Sequence, residues 1–153
     1  MIKKFTILFS ILVFFFTVAN AQFENPVKWM YTAKKIAAKT YEIHITANID
    51  GNWHLYAQDT GEGPEPTSFN FTANPLVKLE GKVKEVGKAE KAYDPNFRSV
   101  LKYYSKHVDF VQKIKLKSTA TTLVQGTVTF MVCNDKKCLP PKEIPFSVKV
   151  DGK

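Results

Sequence analysis

Apolar side chains return at every second position through most of this chain, and a backbone can bury such a pattern on one face only if it is extended. Tyr41, Ile43, Ile45, Ala47 and Ile49 fall on one side, with Glu42, His44, Thr46, Asn48 and Asp50 on the other. Val108, Phe110, Ile114 and Leu116 repeat the period, as do Val128, Phe130 and Val132, and then Ile144, Phe146, Val148 and Val150. Shorter runs centre on Val27, Trp29 and Tyr31, on Trp53 and Leu55, on Phe69 and Phe71, and on Val77 and Leu79. Turn dipeptides separate them: Asp50-Gly51, Asn74-Pro75, Glu80-Gly81, Asp94-Pro95 and Gln125-Gly126. The best helix candidate is residues 33–40, a short lysine-rich stretch. Two segments read as long loops: residues 58–67, acidic and rich in Gly and Pro, and residues 89–104, whose Tyr93, Phe97, Tyr103 and Tyr104 are expected to pack over a sheet. The reading is all-β, an immunoglobulin-like β-sandwich of about seven to nine short antiparallel strands.

The N-terminus has the form of a secretory signal peptide. Lys3 and Lys4 precede an apolar run from Phe5 to Val18, and Ala19-Asn20-Ala21 has the small-x-small form of a cleavage site. The apolar run is shorter than the roughly 20 residues of a membrane-spanning helix. Residues 1–21 are therefore expected to be removed and residues 22–153 to form a single domain, periplasmic or secreted, with no stable membrane span. The formal charge of the whole chain is +8, but its lysines are scattered among acids and apolar residues. That distribution argues against nucleic acid as a partner.

Both cysteines lie in one segment, Val132-Cys133-Asn134-Asp135-Lys136-Lys137-Cys138-Leu139-Pro140-Pro141. Residues 127–133 and 143–150 read as strands, so Cys133 is expected to close one, residues 134–137 to turn, and Cys138 to open the return. Facing residues of an antiparallel pair are near enough for a disulfide. As a staple such a bond is inefficient, because closing so short a loop contributes on the order of 2 kcal/mol. As a redox pair it is well placed, since Pro140 and Pro141 cannot join a ladder and keep the segment at an edge. Lys136 and Lys137 favour a thiolate and Asp135 opposes one. The residues alone leave staple and redox pair both open. No metal site is expected, because His44, His54 and His107 offer no ligand-spaced pair to add to two cysteines. Nothing marks a base or an oxyanion hole for a Cys-His hydrolase, and His44 and His54 read as ordinary strand residues. Trp29 and Trp53 read as core residues rather than as a carbohydrate platform.

The cysteine segment resembles the active-site hairpin of the N-terminal periplasmic domain of DsbD, the bacterial thiol:disulfide interchange reductase. Tyr93-Asp94-Pro95-Asn96-Phe97, with Tyr103 after it, resembles that family's cap region, and Gly51-Asn52-Trp53-His54-Leu55-Tyr56 is also similar. The resemblance covers most of residues 25–150. It implies an immunoglobulin-like sandwich that relays reducing equivalents without a bound cofactor. Cys138 would form mixed disulfides with partners, Cys133 would resolve them, Phe97 would shield the pair, and Asp94 and Tyr103 would be auxiliary. The donor would be a thioredoxin-like protein or membrane reductase acting in trans. The acceptors would be periplasmic disulfide-bearing proteins, such as disulfide isomerases or the cytochrome c maturation pathway. One departure is spacing: four residues separate the cysteines here, against five in the best-known members. The competing reading is a non-enzymatic immunoglobulin-like binding module whose hairpin disulfide is structural.

Overall fold

The computed structural model describes residues 24–152; the expected signal peptide and its cleavage point lie outside the described residues. Within them the chain forms eleven strands and no helix: β1 Val27–Ala37, β2 Thr40–Ile49, β3 His54–Tyr56, β4 Ser68–Phe71, β5 Val77–Val86, β6 Ala89–Asp94, β7 Ser99–Ser105, β8 His107–Leu116, β9 Thr122–Phe130, β10 Val132–Cys133 and β11 Lys142–Val150. They pair antiparallel in three sheets, ordered β1-β2-β8-β5, β10-β3-β7-β6 and β11-β9-β4. The architecture is an immunoglobulin-like β-sandwich, as expected, though with more strands than the seven to nine read from the sequence. β3 and β10 are very short, β10 splits off from the run read as one strand over residues 127–133, and β6 and β7 fall in a segment read as loop.

The alternation explains where the core lies. Ile43, Ile45 and Ala47 of β2 face Phe110 and Val108 of β8 in a register that pairs Ile45 with Phe110 and Ala47 with Val108. All of them are fully buried, against Val124, Val128 and Phe130 of β9 and Phe146, Val148 and Val150 of β11. Each large aliphatic or aromatic side chain buried in this way contributes about 1.5–3 kcal/mol. Trp29 and Trp53 pack against the same core, partly buried. The inward position of β8 that lacks an apolar residue is Gln112, which is buried. Its amide donates to the carbonyl of Glu80, where the β5–β8 register shifts between Glu80 and Lys84. The same amide donates to the Lys113 carbonyl at 2.7 Å, so the buried polar side chain finds backbone acceptors where the ladder is irregular.

Three local readings are corrected. Residues 33–40 are not helical: β1 continues to Ala37 and turns through Lys39, whose φ is 53°. Ala33 and Lys35 stay in register with Ile43 and Tyr41, so pairing with a long neighbour overrides a weak helical preference. Residues 89–104 are not a loop but the hairpin β6–β7, with only residues 95–98 as its turn. Its outer positions, among them Lys91, Tyr93 and Val100, are exposed, which hides the period from a hydrophobicity reading. Residues 127–133 are not one strand. β9 ends at Phe130, and beyond Met131 the chain changes sheets to pair Val132 with Leu55 and Cys133 with His54. No helix among the described residues is long and apolar enough to cross a membrane.

Candidate functional site

The change of sheet at Met131 builds the site. It lifts Cys133 off the β9–β11 ladder and sets it at the edge of β3, where Cys133 and Cys138 form an antiparallel bridge of their own. Asn134 shapes the turn between them. Its backbone N–H donates to the Lys137 carbonyl at 2.9 Å, and its side-chain oxygen accepts from the N–H groups of Lys136 and Lys137, both at 2.9 Å. This is the local side-chain bonding that makes asparagine a turn residue. Leu139 N–H closes back on the Val132 carbonyl, and the exposed Pro140 and Pro141 lead into β11. The two cysteines are joined as a disulfide. The hairpin expected around them therefore exists, as an excursion from β9–β11 rather than its tip.

The sheet β10-β3-β7-β6 is apolar on both faces. Leu55, Tyr104 and Val132 face the main core. On the other face Tyr56, Leu101 and Cys133 form a second buried cluster, with Phe97, Tyr103, Met131 and Cys138 packed partly buried against it. The sulfurs differ in access: Cys133 is fully buried, whereas Cys138 is partly exposed. All five candidate residues are brought together, since Phe97 and Tyr103 share this cluster and Asp94 is bonded to Tyr56 within it.

Phe97 sits on the β6–β7 turn, its ring edge-on to Tyr56 with centroids 5.8 Å apart. Two features hold the turn. Asp94 Oδ1 accepts from the N–H of Asn96 at 2.8 Å and from its side-chain amide at 3.1 Å. Arg98 takes a left-handed φ of 55°, an uncommon conformation for a residue other than glycine. Beneath Phe97 lies the acidic loop, residues 58–67, fixed to its surroundings by several polar contacts. Glu85 Oε1 accepts from Gln58 N–H at 2.7 Å, Thr67 Oγ1 donates to the Tyr56 carbonyl at 2.6 Å, and Lys102 N–H donates to the Thr60 carbonyl at 3.1 Å. Gly63 in this loop has a φ of +123°, and a Cβ there would stand 2.8 Å from the Phe97 ring. Only glycine both reaches that conformation freely and leaves room for the aromatic.

The cluster carries a polar chain that the sequence reading did not single out. Tyr56 Oη donates to Asp94 Oδ2 at 2.5 Å. His54 Nε2 lies 3.4 Å from Tyr56 Oη and 3.6 Å from Asp94 Oδ2, and its ring stacks on Tyr103 at 4.5 Å. Burial pushes Tyr56 up, reinforced by Asp94. Burial also raises Asp94, but hydrogen bonds from Tyr56 and Asn96, with His54, more than offset it and hold the carboxyl below its ordinary value. Burial lowers His54, against the opposing pull of Asp94, Asp135 and Glu90. Burial raises Tyr103, with Glu90, Asp135 and Asp94 adding to it. The available signal for Tyr56 and His54 was their alternation with Trp53 and Leu55, which assigns them the face away from the core.

The sequence matches the family described as "Thiol:disulfide interchange protein DsbD, N-terminal" over residues 21–149. No curated protein matches the chain. Among solved structures, the N-terminal periplasmic domain of ScsB from Proteus mirabilis is similar at a TM-score of 0.52 and 17% identity, covering 82% of this chain and 45% of that one. The reduced DsbD N-terminal domain of Neisseria meningitidis is similar at a TM-score of 0.55 and 14% identity, covering 86% and 93%. At such identities these two likenesses speak for the fold.

Proposed function

The chain belongs to the DsbD N-terminal domain family, and from that membership we propose that it is a thiol:disulfide exchange domain relaying reducing equivalents through Cys133 and Cys138 to partner proteins. The observation that carries this reading is the asymmetry of the bonded pair: one sulfur is enclosed and the other reaches the surface. In exchange, a thiolate attacks a partner disulfide, and a second thiol then breaks the mixed intermediate. Cys138, partly exposed, suits the first role, and Cys133, buried beside it, suits the second. A pair serving only as a staple has no need of one accessible sulfur. Residues 22–153 act as a single exported domain, periplasmic or secreted. A thioredoxin-like protein or membrane reductase supplies the electrons, and disulfide-bearing proteins of the same compartment accept them.

The deciding experiment equilibrates the purified protein in defined dithiothreitol or glutathione buffers, traps the thiols by alkylation and counts them by mass. A reduction potential above about −300 mV marks an exchange-competent pair. A much lower one marks a structural staple and returns the chain to the binding-module reading.

Phe97 acts as the shield over the pair, and Gly63 provides its seat. Reduced Phe97→Ala is expected to be alkylated several-fold faster than the parent. Gly63→Ala is expected to follow the same direction while losing about 1–3 kcal/mol of stability through its strained backbone. Unchanged alkylation rates in both variants would remove the shield.

A further inference from the structure

The buried sulfur poses a problem of proton transfer. To resolve a mixed disulfide, Cys133 must give up its proton, yet it is fully enclosed. The residue directly across the ladder from it is His54. Cross-strand neighbours project from the same face with Cβ atoms about 4.5–5.5 Å apart, and the His54 side chain is itself only 14% exposed. Because the Tyr56 hydroxyl proton is committed to Asp94, Tyr56 Oη receives the Nε2–H of His54 across their 3.4 Å contact. That network assigns the proton of neutral His54 to Nε2 and leaves Nδ1 with its lone pair. Nδ1 has no hydrogen-bond partner among the described residues.

We propose that His54 is the proton acceptor for Cys133 in the resolving step, held in the required tautomer by the Tyr56–Asp94 pair. The proposal rests on the exchange reading above. The step balances as follows. The Cys138 thiolate attacks a partner disulfide, forming a Cys138–partner bond and releasing one partner sulfur as thiolate. The Cys133 proton then passes to His54 Nδ1, and the Cys133 sulfur attacks Cys138 Sγ. The Cys133–Cys138 bond forms, the Cys138–partner bond breaks, and the second partner sulfur leaves as a thiolate that takes up a proton. The cysteine pair loses two electrons and the partner disulfide gains them.

The surroundings suit a base of this kind. Groups facing His54 are Tyr56 on its own strand, Tyr103 on β7, Asp94 and Glu90 on β6, and Asp135 in the cysteine turn. The three carboxylates stabilise the imidazolium that forms, and burial, the larger influence, keeps the resting imidazole neutral. This is the Cys-His-carboxylate logic of an activated thiol, here spread over β10, β3 and β6.

The test follows the reduced protein reacting with excess 4,4′-dithiodipyridine, which releases one thiopyridone as Cys138 is captured and a second as Cys133 resolves the adduct. His54→Gln is expected to leave the first phase within about twofold and slow the second on the order of 100-fold, the low end for a positioned general base. In the parent the second phase should rise with pH through the His54 titration, and in the variant that rise should move upward to follow the thiol itself. His54→Phe keeps an aromatic ring beside Tyr103 without a proton acceptor and should behave alike, which separates lost packing from lost proton transfer. A second phase of unchanged rate and pH profile in either variant overturns the proposal. A parent that shows no second phase overturns the exchange reading beneath it.

Discussion

Cys138→Ala is expected to abolish exchange with a protein disulfide while leaving the sandwich folded. The physical basis is the separation of the site from the core. Cys138 packs at the edge of the second cluster, whereas the buried side chains of β2, β8, β9 and β11 belong to the first. Losing the bond that closes this short loop removes on the order of 2 kcal/mol, a modest part of a typical domain's stability. Cys133→Ala should give the complementary result: Cys138 still attacks, nothing resolves the product, and the mixed disulfide accumulates to be read by mass. That pattern assigns the roles of the two sulfurs in one experiment. Accumulation in Cys138→Ala in place of Cys133→Ala would reverse the assignment. A folded parent inert towards any protein disulfide, together with a Cys138→Ala variant that no longer folds, would make the bond a staple.

Much of this arrangement is legible in the chain before any coordinates. The period-two runs of β2, β8, β9 and β11 mark the core because each buries one face along a long ladder, so local pattern and tertiary position agree. The cysteine segment is legible because its turn is local, with Asn134 bonding the N–H groups two and three residues ahead. What stays hidden depends on pairing between distant residues. Val132 and Cys133 continue the alternation of β9 without interruption, so no local signal announces that they leave it for β3. β6 and β7 are masked because exposed residues such as Lys91, Tyr93 and Val100 break up the side of the hairpin from which Tyr104 reaches the main core, while the second cluster takes the other. His54 is ordinary as a strand residue and becomes notable only once Cys133 is placed across from it. The strand pattern thus yields the scaffold, and the sheet change at Met131 yields the site.

Tyr56→Phe is expected to cost about 2–3 kcal/mol at neutral pH, the cost of removing a hydrogen bond to a buried charge. The ring would still fill its place against Leu101 and Phe97, so the loss isolates the hydroxyl. Its acid dependence carries the sharper information. Asp94 in the folded state lies below its ordinary value, so its contribution is present above the unfolded value of about 3.9 and is lost as pH falls through the lower folded value. Tyr56→Phe removes one of the bonds that hold it down while burial, which pushes it up, remains. The folded value therefore rises towards the unfolded one, so the acid limb of the variant keeps its onset near the unfolded value but is shallower and ends at a higher pH than in the parent. Asp94→Asn should remove this acid limb altogether. The double variant should lose less than the sum of the single losses, because each single change leaves the other partner buried and unanswered. Urea unfolding of the oxidised proteins from about pH 7 down to about pH 3 measures all of this. Additive losses with superimposable pH profiles would mean that Tyr56 and Asp94 are seated independently.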